Sequence, residues 1–135
     1  MRVADSTGAI SVAVPEGWAG QARQSGWNPA AVGLPAGTRP GLAVAADLSS
    51  WSEEYAGGPG VFAGAAEGLE RATLPAHGRC SRSERAIPDG RVIRWTNCAG
   101  TSISYSEVLV GGAYLQVKQV GAEDLTDQIV RGLHS

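Results

Sequence analysis

The chain has 135 residues, enough for one domain with a real hydrophobic core. A net charge of −2, with 18% charged residues, leaves no basic footprint for nucleic acid or an anionic membrane surface. No stretch reaches the ~20 apolar residues of a transmembrane segment.

The opening MRVADSTGAI lacks the basic region and apolar run of a signal peptide. The chain therefore reads either as a cytosolic protein or as a trimmed domain whose signal or anchor lies outside it. AISVAVP (9–15) alternates Ile10, Val12 and Val14 with small residues and predicts a strand stopped by Pro15. The stretch 16–40, with Trp18, Trp27, three prolines and several glycines, predicts an ordered loop that packs its tryptophans on the core. A short apolar strand is expected over 41–47. LSSWSEEY (48–55) follows as a short helix, with Ser50 and Glu53 at capping-box spacing. VFAGA (61–65) reads as a buried strand, and AEGLERATL (66–74) as a helix ended by Pro75. Four strand-like runs separated by tight turns then lead to AEDLTDQIVRGLHS, where Leu125, Ile129 and Leu133 predict an amphipathic helix over a sheet face. Acidic Glu123 and Asp124 sit at its start, where they complement the helix dipole. The expectation is a single α+β domain over 1–135, a largely antiparallel twisted sheet with a C-terminal meander, flanked by short helices and a C-terminal helix.

Turn chemistry suggests a register for the meander. Taking Pro88-Asp89-Gly90 as a three-residue turn, with glycine at a positive φ, sets 87 opposite 91 and Cys80 opposite Cys98. Two-residue turns at Ala99-Gly100 and Gly111-Gly112 would place Trp95 opposite Ser104, Arg94 opposite Tyr105 and Tyr105 opposite Lys118. One face then carries Ile93, Trp95, Val108, Val110, Leu115 and Val117 as core. The other carries a polar row of Glu84, Arg94, Tyr105 and Lys118. That row reads either as a solvated surface of cross-strand charge pairs or as a flat binding surface centred on Arg94 and Tyr105.

Catalytic and cofactor signatures are missing. The chain has no G-x-S-x-G, no Walker A loop, no Rossmann glycine fingerprint and no H-E-x-x-H, so neither a cofactor nor a metal is expected. His77 and His134 read as exposed loop residues. Cys80 and Cys98 lack CxxC or zinc spacing and read as a structural disulfide. A disulfide implies an oxidising, extracytoplasmic compartment; the alternative is a reduced, packed pair in a cytosolic protein.

The segments DSTGAISVAVPEGW, LAVAADLSSW, GPGVFAGAA and the late C…WTNCAG resemble secreted or membrane-anchored actinobacterial domains. These include extracellular segments attached to serine/threonine kinases. The strand followed by PEGW also resembles the Mog1/PsbP-like fold, whose members are mainly binding or assembly proteins. The resemblance implies a non-enzymatic extracytoplasmic binding or sensor domain, part of a kinase or of a secreted lipoprotein. Its partner would be an unknown protein or a small-molecule ligand. The alternatives are a small secreted hydrolase with an unrecognised site and a cytosolic assembly factor.

Overall fold

The computed structural model describes residues 1–18, 22–122 and 124–134. The apolar and alternating runs become strands β1 (Arg2–Ala4), β2 (Ser11–Ala13), β3 (Ala22–Trp27), β4 (Arg39–Ala45), β5 (Gly60–Ala65), β6 (Ser81–Ile87), β7 (Gly90–Thr96), β8 (Ile103–Val110) and β9 (Ala113–Val120). β1 and β2 form a hairpin, and the other strands make a seven-stranded sheet in the order β3-β4-β5-β9-β8-β7-β6. Every neighbouring pair in it is antiparallel.

The first face of the sheet carries Leu42, Val44, Val61, Ala63, Val92, Val108, Leu115 and Val117. Ile10, Val12 and Val14 of the hairpin, with Trp18, Leu125 and Ile129, cover it to form the main core. The second face carries aromatic and polar side chains. It is covered by the excursions 28–38, 46–59 and 66–79, which lay down Val32, Leu34, Trp51, Leu69 and Ala72. Glycines in β5 make room for this cover. A Cβ on Gly64 would lie 2.3 Å from the Trp27 ring, and one on Gly60 would lie 2.7 Å from the Trp51 ring.

The expected helix-flanked α+β class is corrected to a sheet-dominated domain. Among the described residues the one α-helix is α1, Thr126–Arg131, six residues long. The helix expected over 48–55 is a series of turns. Asp47, ahead of the supposed capping box, binds the Ser49 amide and the Ser49 and Ser50 hydroxyls, and Tyr55 sits at φ 59°. Over 66–74 only a 3-10 turn at Leu69–Arg71 forms, because Gly68 enters it in the left-handed region. Within the expected loop 16–40, residues 22–27 pair with β4 as an edge strand. Residues 19–21 and Glu123 lie outside the described residues.

The register is corrected by one position. β6 and β7 pair Ile87 with Gly90 across a two-residue Pro88-Asp89 turn, and Asp89, not Gly90, takes the positive φ of 60°. Gly90 is required for another reason: a Cβ there would lie 1.7 Å from the Leu109 carbonyl oxygen of β8. The disulfide between Cys80 and Cys98 forms, with Cα atoms 4.1 Å apart, because the chain leaves the ladder at Asn97, φ 53°. In the chain-entropy view such a loop contributes about 3 kcal/mol. This detour also moves Trp95 opposite Tyr105 and Arg94 opposite Ser106. Ile93 and Trp95 therefore lie on the second face, opposite in direction to Val108 and Val117. The β8–β9 register is as expected, with Tyr105 opposite Lys118 and Val108 opposite Leu115.

The hairpin that closes the main core is held by Asp5. Its carboxylate accepts from the Thr7 hydroxyl and from the amides of Thr7 and Ile10. Burial alone would raise the Asp5 pKa, but these hydrogen bonds outweigh it and set the pKa below the usual 3.8. The stabilisation is therefore present above pH 3.8 and lost as pH falls through the lower, folded value. Asp5→Asn should destabilise the domain by about 1 kcal/mol at neutral pH in urea titrations. The two stability curves should converge in strong acid.

Candidate functional site

The structure scatters the expected row of Glu84, Arg94, Tyr105 and Lys118. Lys118, Tyr105, Trp95 and Arg82 are the residues that face one another across β9, β8, β7 and β6. Glu84 shares their face but stands one row away at the exposed edge, where it pairs with Arg82 at 2.9 Å and Arg91 at 3.8 Å. Arg94 lies on the first face. There its guanidinium bonds Asp124 and, at 3.3 Å, the Ser104 hydroxyl, tying down the approach to α1. Arg85 pairs with Asp127 of α1 at 2.6 Å on the same side. Both arginines anchor the C-terminal segment.

Tyr105 and Lys118 are not on a solvated surface. Lys118 is fully buried, and its ammonium donates to the carbonyls of Trp51, Glu53 and Ala56. Burial lowers its pKa below 10.5, and the Glu53 charge opposes that shift. A group with three donors and no acceptor thus straps the turns 51–56 onto the sheet.

Beside it on the same face lies Glu107, also fully buried. Its Oε1 accepts from the Tyr114 hydroxyl at 2.6 Å and from Gln116 Nε2 at 3.4 Å. Burial first, then the Glu107 charge, pushes the Tyr114 pKa far above its ordinary value, so this hydroxyl stays a donor. Oε2 has no hydrogen-bond partner and faces His77 Nε2 at 3.6 Å. His77, expected to be exposed, is only 8% exposed. Its ring stacks on Tyr105 with centroids 4.1 Å apart and planes 9° from parallel, and it meets the edge of Trp95.

Above this pair opens a recess of about 270 Å³ lined by Trp51, Ser52, Glu54, His77, Tyr105 and Gln116. Tyr105 is held by stacking and by its hydroxyl, which accepts from the Tyr55 amide at 3.3 Å. Burial, then the charges of Glu54, Tyr55 and Glu107, raises its pKa. The Trp51 indole N–H is buried without a partner. Trp18 belongs to the core of the opposite face. Trp27 packs on Phe62 and Tyr114, so the tryptophans do not gather around one pocket.

The sequence reading set Glu107 and Gln116 beside the polar row without naming them as site residues, and took His77 for an exposed loop residue. Glu107 and Gln116 gave a usable signal, since the correctly read β8–β9 register sets them directly opposite each other. His77 gave none, because it arrives from a segment without periodicity. Among the described residues no group of three histidine, cysteine, aspartate or glutamate side chains is placed to hold a metal ion. None of the helices described is long and apolar enough to cross a membrane. No family model, curated protein or solved structure matches the chain.

Replacing Lys118 with methionine would keep the stem and leave three carbonyls without their donor. Lys118→Met should lower stability by about 2–4 kcal/mol in urea titrations. It should also make the segment 51–57 the first site of proteolytic cleavage.

Proposed function

We propose that the chain is a non-enzymatic extracytoplasmic binding or sensor domain whose working site is the recess above His77 and Glu107. The observation that carries the reading is the buried Glu107 oxygen that no donor satisfies, facing a buried imidazole nitrogen under an open recess. Buried polar atoms that serve structure alone are nearly always hydrogen-bonded. An under-satisfied acid–imidazole pair costs the fold stability, and its place beneath a recess supports a functional reading. The Cys80–Cys98 disulfide supports an oxidising compartment. The resemblance of DSTGAISVAVPEGW and the late C…WTNCAG to kinase-attached segments supports a setting as the extracellular part of a serine/threonine kinase or of a secreted lipoprotein.

A second reading, a small secreted hydrolase, draws on Ser52 and His77 lining the same recess with Glu107 behind the imidazole. These residue types suit a nucleophile, a base and the acid that orients it.

Ser52 is exposed at the recess, so Ser52→Trp should fill the space without disturbing the core. Thermal unfolding of wild type and Ser52→Trp would be followed with panels of amines, carboxylates, amino acids and sugars. At tenfold excess over Kd, a recess ligand should raise the wild-type Tm by roughly 2–6 °C and leave the variant unmoved. No shift with any class, or equal shifts in both proteins, would overturn the assignment of the site. Turnover of p-nitrophenyl acetate that Ser52→Ala and His77→Gln each abolish would transfer the reading to the hydrolase.

A further inference from the structure

We propose that the recess takes the primary ammonium group of a small organic amine. This rests on the recess being the working site and names the chemistry it selects. The selection comes from Glu107, whose Oε1 accepts from the Tyr114 hydroxyl and the Gln116 amide. The Gln116 amide therefore turns its NH2 inward, 3.4 Å from Oε1, and its carbonyl oxygen is left for the recess. Under this proposal the imidazole proton lies on the His77 Nε2 that faces Oε2 at 3.6 Å. A neutral imidazole in that tautomer has a lone pair on Nδ1. The carboxylate thus draws its neighbours' donors inward and leaves acceptors around the recess.

Two exposed residues of the lining add acceptors, beside the unpaired Trp51 indole N–H. Glu54 adds an exposed carboxylate and Ser52 a hydroxyl that can accept. Trp51 and Tyr105 contribute aromatic walls, which attract a cation through their ring quadrupoles. Burial first, then the charges of Glu54, Tyr55 and Glu107, raises the pKa of the Tyr105 hydroxyl. The nearby cation, Lys118, is already held by the carbonyls of Trp51, Glu53 and Ala56. The same turns thus already solvate one ammonium inside this chain. A volume of about 270 Å³ suits a headgroup and short stem.

The test is a titration of the full chain with ethylammonium, tetramethylammonium and acetate at matched ionic strength. It would be read by NMR on the Gln116 side-chain amide and the Trp51 indole N–H. Ethylammonium should give saturable shifts at both probes. Tetramethylammonium, a cation without donors, should bind about fivefold more weakly, and acetate should not bind. Glu54→Gln, on an exposed residue, should weaken ethylammonium about threefold. Glu107→Gln should weaken it about tenfold without touching the ligand, because an amide at 107 can donate to His77 and reverse the polarity of the wall. If Glu107→Gln does not fold, the ligand comparison and Glu54→Gln decide.

Equal binding of tetramethylammonium would refute the donor requirement. Saturable binding of acetate, or of a panel sugar, in place of ethylammonium would refute the ligand class while leaving the recess as the working site. Probes that no compound moves would overturn both readings.

Discussion

A carboxylate with no path to solvent has to be met by donors, and Glu107 imposes that demand on the centre of the sheet's second face. Tyr114 and Gln116 answer it on one oxygen, and the His77 imidazole faces the other. Tyr114 and Gln116 give their donors inward, which leaves the Gln116 amide with a fixed polarity. The character of the recess follows from this single residue. Lys118, on the same face, poses the opposite problem. It has donors only, and backbone carbonyls of a neighbouring turn meet them. Together the two buried charges pin the excursions 46–59 and 66–79 against the sheet, which is what gives the recess its walls.

The second face can hold this chemistry because the first face supplies the core. Hairpin, Trp18 and α1 close over an aliphatic surface running from Leu42 to Val92. Even its polar contacts fasten structure. The Ser106 and Thr126 hydroxyls share a bond of 2.6 Å, and the Gln119 amide donates to Ser106 and accepts from the Leu125 backbone. At the far end of the meander the disulfide ties the edge strand β6 to the exit of β7. The sheet is thus anchored on one side and free on the other to carry groups that no core would retain.

The strands were legible in the sequence wherever alternation or a short apolar run was bounded by turns. The cysteine pairing was legible as well. Helices were overestimated because local patterns at 48–55 and 66–74 look helical, while the winning contacts are long-range or glycine-imposed. The carbonyls that Lys118 captures lie more than sixty positions away, and Gly68 breaks the second helix from within. The register slipped by one residue because Gly90 looked like a turn glycine, when its role is to let β8 approach. A second slip, from taking Ala99-Gly100 as the β7–β8 turn where the chain detours at Asn97, sent Arg94 to the wrong face and hid the link between Trp95 and His77. Glu107 was visible as a sheet residue. No sequence period could say that a loop histidine would come to rest on it.

The polarity proposed for the recess turns on the proton of His77 lying on the nitrogen that faces Glu107. Two-bond nitrogen–proton correlation NMR of the imidazole, in alkaline buffer without ligand, reads this directly. The account predicts a protonated Nε2 and a bare Nδ1 in wild type. A protonated Nδ1 with a bare Nε2 facing the carboxylate would contradict it, because the wall would then present a donor where an acceptor is required.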